Sequence, residues 1–240
     1  YSHNDHNPDH LYTDDSNLIE FGNSYKESIN KDILLVIDNT KEPEKKYLPK
    51  IINYLKSRDI DYKVANTVEL LEEYNSNFNI IGAISSGSDF RVKDSENTLL
   101  NETALDILKC PIISMCFGFQ SMSKHYGSDI TGGEEVSGQY LLDNWDKNCP
   151  IFKGVDLDNQ KVSFCFHDYP LNCPEGFSVI AEFDGKISGI SSGDKFGILF
   201  HPEEMESTYI ILDNFINMCK PIEQSLKYLQ TFEYFSKKFN

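Results

Sequence analysis

Pro111-Ile112-Ile113-Ser114-Met115-Cys116-Phe117-Gly118-Phe119-Gln120 is the stretch whose reading decides the fold. Pro111–Met115 is a short, nearly continuous apolar run, the pattern of a strand buried on both faces. Phe117–Tyr126 follows at once and reads as a helix. Strand passes into helix without a polar loop, so the junction residue, Cys116, falls in a tight turn. Working outward, Ile33–Ile37 (ILLVI) and Asn79–Ile84 (NIIGAI) repeat the buried-strand pattern, and Asp61–Ala65 reads as a further strand. Between them Leu48, Ile51, Ile52 and Leu55 follow helical spacing, Val68–Tyr74 reads as a short helix, and Leu99–Leu108 as another. Strands alternating with helices imply parallel βαβ units, hence an α/β fold with a doubly wound, mostly parallel central sheet flanked by helices.

The second half is richer in strands. Val162–Phe166, Ser178–Phe183, Lys186–Ser191 and Gly197–Phe200 are short, with turn signals such as Asp184-Gly185 between them. They predict a small antiparallel region that either extends the sheet or forms a flap. Thr208–Cys219 reads as a helix, and Leu226, Leu229, Phe232 and Phe235 predict a last amphipathic helix at about 222–238. Residues 1–31 are polar and acidic, with His3, His6 and His10 near the front. They read as a solvated arm before a single domain over 32–240.

Composition excludes several classes. Hydrophobic residues make up 40% and charged residues 25% of 240, ordinary for a chain with a sizeable core. There is no run of 18 apolar residues to span a membrane and no basic-then-apolar signal pattern at the front. With 22 basic against 38 acidic residues the net charge is −16, a field that repels phosphate backbones and argues against nucleic-acid binding. The six cysteines lack Cys-x-x-Cys spacing, so free thiols in a reducing cytosol are expected, with no structural zinc and no cofactor.

Cys116 stands apart from the other five. At a strand-to-helix turn it projects at the carboxyl edge of the sheet, where α/β proteins bind ligands. The helix behind it supplies unpaired N–H groups and a positive dipole end, which favour a thiolate. This is the logic of a nucleophile elbow, with Cys in place of Ser. Downstream, the apolar Phe196–Phe200 ends in His201-Pro202-Glu203. A His just past a strand end lies at the same sheet edge, and Glu203 can accept from the imidazole and fix its tautomer. Nucleophile, base and orienting carboxylate together form the activated-nucleophile arrangement.

These two motifs resemble the class I, triad-type glutamine amidotransferases, whose hallmarks are a Cys-x-Gly-x-Gln elbow and a later Phe-His-Pro-Glu. Here they are Cys116-Phe117-Gly118-Phe119-Gln120 and Phe200-His201-Pro202-Glu203, and the resemblance spans roughly residues 32–219. It implies hydrolysis of glutamine to glutamate and ammonia through a γ-glutamyl thioester, with Cys116 as nucleophile, His201 as base and acid, and Glu203 as orienter. Ser85-Ser86-Gly87-Ser88-Asp89 is similar to the family's oxyanion loop. That likeness implies the N–H groups of Gly87 and Phe117 as donors, with Gln120 in the substrate site. Ser86 and Ser88 replace the usual Gly and Pro, which predicts a looser loop.

Pro174-Glu175-Gly176-Phe177 is similar to a segment of the glutaminase part of GMP synthetase, a branch that carries Ser-His-x-Asp upstream. The matching text is Cys165-Phe166-His167-Asp168: without a gap Phe166 stands where that branch has His, and with a one-residue deletion His167 does. The resemblance implies that these four residues shape the substrate site. Leu199 and Glu204 depart from the family pattern. With no ATP-pyrophosphatase domain before Asn240, the resemblance implies ammonia delivery to a separate ATP-dependent synthetase chain. Two competing readings are a stand-alone γ-glutamyl hydrolase and a non-catalytic module on the same fold. A tight or an open pocket separates the first of these from a glutaminase.

Overall fold

The structure, a computed structural model, describes residues 31–42, 46–93 and 97–220. The arm expected over 1–31, Lys31 excepted, and the last helix expected at about 222–238 lie outside the described residues. Strands β1 (Asp32–Ile37), β2 (Tyr62–Ala65), β3 (Asn79–Ser85) and β4 (Ile112–Met115) alternate with helices α1 (Tyr47–Ser57), α2 (Val68–Asn77) and α3 (Leu99–Ile107). After β4 come α4 (Phe117–His125), β5 (Ile130–Tyr140), β6 (Asn144–Trp145), β7 (Val162–Pro170), β8 (Ser178–Phe183), β9 (Lys186–Ser192), β10 (Lys195–Ile198) and α5 (Tyr209–Cys219).

Eight strands form one sheet in the order β2-β1-β3-β4-β10-β9-β8-β6. Neighbours from β2 to β10 are parallel, and those from β10 to β6 antiparallel. This is the doubly wound α/β class read from the alternation. The late strands do both things left open for them: β8, β9 and β10 extend the sheet, while β7 pairs with β5 in a separate antiparallel ribbon.

The boundaries shift in two places. The strand expected at Gly197–Phe200 runs instead over Lys195–Ile198, because pairing with β4 stops at Met115. The strand expected at Val162–Phe166 continues to Pro170, because β5 pairs with it again beyond a register shift, at Asp168–Pro170. Nothing in Ile130–Tyr140 announces β5: two adjacent glycines and two glutamates interrupt any alternation, and its residues are mostly exposed.

β1, β3, β4 and β10 are parallel neighbours or near neighbours, so their ends emerge on one edge. There the ladder continues for one more bond in three places: Asp38 N–H to Ala65 (2.9 Å), Ser86 N–H to Ile37 (3.0 Å) and Cys116 N–H to Ile198 (2.8 Å). The residues just past these ends, Asn39, Ser86-Gly87, Cys116 and His201, are thereby gathered at one place. The ribbon is fastened to that edge by the His201 N–H on the Ser163 carbonyl at 2.8 Å. Phe164 of β7 anchors it below, its ring 4.4 Å from Phe183 and 5.9 Å from Phe200. Each such buried ring contributes about 1.5–3 kcal/mol. Helix α1 is held at both ends. Arg58 forks onto the Asp213 carboxylate (2.9 and 3.1 Å), which also accepts from the Tyr54 hydroxyl at 2.6 Å, and Lys50 pairs with Glu204.

Candidate active site

Cys116 has φ 49° and ψ −106°, one of three non-glycine residues with positive φ among the described residues. Such a backbone costs about 1–3 kcal/mol and persists only where the surroundings enforce it. Here the Cys116 N–H bond to Ile198 and the Gln120 N–H bond back to the Cys116 carbonyl (2.9 Å) enforce it from both sides. The turn also needs Gly118: a Cβ there would lie 2.7 Å from Ser85 Oγ, so only glycine lets α4 start this close to the end of β3.

His201 is 1% exposed, and its Nδ1 is 2.7 Å from Glu203 Oε1, itself buried. That carboxylate fixes Nδ1 as the protonated nitrogen and leaves Nε2 for a reacting proton. Nε2 has no hydrogen-bond partner among the described residues. The Cys116 thiol instead donates to the Cys165 carbonyl at 3.2 Å. Burial pulls the imidazole pKa down, but the charges of Glu203 and of the nearby Cys116 sulfur more than offset it. His201 therefore titrates well above the usual histidine range. An imidazole of that kind can take and hold the proton of a neighbouring thiol, which is what activates a cysteine.

The Ser85–Asp89 loop is not loose. Asn39 donates through its N–H to Ser86 Oγ (2.9 Å) and through Nδ2 to Ser85 Oγ (2.8 Å) and the Ser86 carbonyl (2.9 Å). Ser86 Oγ donates in turn to the Gly87 carbonyl at 2.9 Å, and Ser88 Oγ accepts from the Phe90 N–H at 3.0 Å. The two serines that replace Gly and Pro thus make side-chain turns that stiffen the loop, contrary to the expectation drawn from the missing proline. Gly87 lies against the imidazole, where a Cβ would come 2.8 Å from His201 Cε1. The Phe117 N–H belongs to the first turn of α4, which has no intrahelical acceptor for it.

A pocket of about 90 Å³ opens beside Cys116. Gln120, Cys165, Phe166, His167 and Asp168 all line it. Gln120 is buried and donates through Nε2 to the Asp168 carbonyl at 2.6 Å. Asp168 is 1% exposed; its Oδ1 takes Arg91 Nε (3.0 Å) and Nη2 (2.5 Å), and its Oδ2 has no partner among the described residues. Phe166 shares the buried face of β7 with Asp168, while Cys165 and His167 alternate to the other face. Cys165 Sγ lies 3.8 Å from Lys46 Nζ and 3.9 Å from Glu135 Oε1. Lys46, Tyr47, Asp89, Arg91 and Glu135 also line the pocket. All but Asp89, part of the Ser85–Asp89 motif, escaped the sequence reading, because they come from the start of α1, the loop after β3 and β5, which only folding brings to Cys116. No group of three or more His, Cys, Asp or Glu suited to a metal occurs among the described residues. No helix there is long and apolar enough to cross a membrane.

A cysteine at a strained strand-to-helix elbow, facing a buried histidine–carboxylate pair on a mostly parallel sheet, defines an α/β protein of the nucleophile-elbow class. A family model narrows this: residues 35–218 match Glutamine amidotransferase class-I, and the chain belongs to that family. The chain is 30% identical over 183 residues to a GMP synthase (glutamine-hydrolyzing) subunit of Methanococcus maripaludis, covering 72% of this chain and 92% of that protein. With the GMP synthase (glutamine-hydrolyzing) of Kluyveromyces lactis it shares 33% identity over 146 residues, 58% of this chain but 27% of that much longer protein. Among solved structures, a glutamine amidotransferase from Thermotoga maritima superposes with TM-score 0.55 at 17% identity, covering 86% of each chain. That likeness speaks for the fold alone.

Proposed function

We propose that the chain hydrolyses the side-chain amide of glutamine. Cys116 passes its proton to His201 Nε2 and its sulfur attacks the amide carbon. The N–H groups of Gly87 and Phe117 take the developing oxyanion. His201 then protonates the leaving nitrogen, the C–N bond breaks, ammonia departs and a γ-glutamyl thioester remains on Cys116. Water, deprotonated by His201, attacks the thioester; glutamate leaves and the thiol is restored. Glu203 holds the imidazole and stabilises its charged form without itself moving a proton. Asp168 Oδ2 suits the substrate ammonium, and Arg91 beside it suits the carboxylate. The observation that carries the reading is the strained Cys116 backbone beside the His201–Glu203 pair: strain of this kind is kept where it serves a site.

We propose further that the ammonia passes to a separate ATP-dependent synthetase of the GMP synthase kind. The similarity to the Methanococcus maripaludis protein, over nearly its whole length, supports this. The charge of −16 suits a basic docking surface. The small pocket favours free glutamine over bulky γ-glutamyl conjugates. The test is glutamate release by the purified chain while a GMP synthase ATP-pyrophosphatase chain and its nucleotide substrates are titrated in. Glutamate release that rises with the partner supports both steps. Full activity unchanged by the synthetase favours a stand-alone γ-glutamyl hydrolase, and no activity under any condition refutes the glutaminase reading.

A further inference from the structure

Tyr47 is the first residue of α1 and is 3% exposed. Its ring lies 5.1 Å from the His201 imidazole and within 16° of parallel to it. The Glu203 bond fixes one ring nitrogen but leaves the imidazole free to tilt about that bond. A flat face stacked on the ring removes this freedom. The same phenol ring reaches the loop: a Cβ on Gly87 would meet His201 Cε1 at 2.8 Å and Tyr47 Cδ1 and Cε1 at 3.1 and 3.2 Å. Imidazole, phenol and the Gly87 backbone therefore converge at one point.

The hydroxyl extends the link, donating to Asp89 Oδ1 at 3.4 Å, the oxygen that also takes Lys46 Nζ at 2.9 Å. Burial first, then the negative charges of Cys116, Cys165 and Asp89, drive the Tyr47 phenol far above its ordinary range. It stays protonated and does not compete with His201 for the thiol proton. The Arg58–Asp213 and Lys50–Glu204 pairs hold α1, so the ring is mounted on a fixed element.

We infer that Tyr47 is a positioning residue that sets the plane of His201 and the place of the Gly87 N–H as one unit. Base and oxyanion donor then reach Cys116 together. The inference rests on the triad reading above and deepens it by naming what aligns two of its parts. A core filler would need only volume at this position; a positioning residue needs a flat aromatic face.

The test compares Tyr47→Phe with Tyr47→Leu, and with Tyr47→Met as a second aliphatic variant should the leucine protein not fold. Tyr47→Phe keeps the face and is expected to hold kcat within a few-fold. The aliphatic variants are expected to lose kcat by about 10²-fold, the scale of a misplaced reacting group, with KM moved far less. A second readout is the rate of iodoacetamide alkylation of Cys116 at neutral pH. A tilted imidazole no longer takes the thiol proton, so the aliphatic variants are expected to alkylate more slowly than the wild type. Tyr47→Phe keeps the wild-type rate. Aliphatic variants that match Tyr47→Phe in kcat and alkylation rate overturn the inference and leave the glutaminase reading standing. A wild-type protein that neither turns over glutamine nor alkylates preferentially at Cys116 overturns both.

Discussion

Gly87→Ala perturbs the site by one methyl group in a place the structure measures. The Gly87 φ is not in the left-handed region, so alanine meets no backbone objection and the effect is steric alone. The new Cβ would sit 2.8 Å from His201 Cε1 and 3.1 Å from Tyr47 Cδ1. Neither neighbour is the loose end of a flexible chain: His201 is held by Glu203 at 2.7 Å and both rings are stacked. The loop must therefore retreat by about 0.6 Å to restore ordinary contact. An oxyanion donor works only within about 2.7–3.1 Å of the charge, and losing one costs about 10²–10³ in rate. Overpacking at a buried point costs about 1–3 kcal/mol of stability, which for a domain of this size lowers Tm by roughly 2–4 °C per kcal/mol. The expected variant is a folded protein melting a few degrees lower, with kcat for glutamate release down at least about 10²-fold. Glutamate release is measured alongside the melting curve. A variant with wild-type kcat refutes the placing of Gly87 in the oxyanion site, whatever its Tm.

A diazo-ketone glutamine analogue is expected to label Cys116 alone: burial pushes Cys110 and Cys219 up to about 12 and Cys149 to about 11, leaving them inert near neutral pH. Peptide mapping that finds the label on Cys165 or Cys173 would sink the assignment. His201→Ala is expected to cut turnover by about 10²–10⁴-fold and Glu203→Gln by less. Because Glu203 is the leading influence raising the His201 pKa, Glu203→Gln should move the alkaline limb of the kcat profile to lower pH; an unmoved limb counts against the pair. His201 binds its proton more tightly folded than unfolded, so its contribution to stability is full below about pH 6.5 and fades as pH climbs through the raised native value. Urea unfolding should show the wild-type advantage over His201→Ala shrinking across that range, and a growing advantage would reverse the sign argued here.

Much of this architecture is legible without coordinates. ILLVI at Ile33–Ile37 and PIISM at Pro111–Met115 are buried strands because a continuous apolar run has no water-facing side. Cys116 and His201 could be placed at one sheet edge because parallel strands end on the same side. β5 was not legible: Gly132, Gly133, Glu134 and Glu135 carry no strand preference, and β7 pairs with the strand only on either side of a register shift between Gly132 and Val136. The hydrogen bonding of the Ser85–Asp89 loop was not legible for a related reason. Ser86 looks like a missing glycine in the sequence, while in the structure Asn39, from the end of another strand, hydrogen-bonds to its hydroxyl.

What the sequence by itself determined is the part set by local periodicity and local chemistry: the alternation of strand and helix, the elbow at Cys116, and the His201–Glu203 pair two residues apart. Only the tertiary structure decided that β10 lies beside β4, that Arg91 closes on Asp168, and that Tyr47 lies flat against His201. These depend on strand order and on the packing of α1 against the sheet edge. Such contacts join residues far apart in the chain, and no short-range pattern of side chains encodes a distance between them.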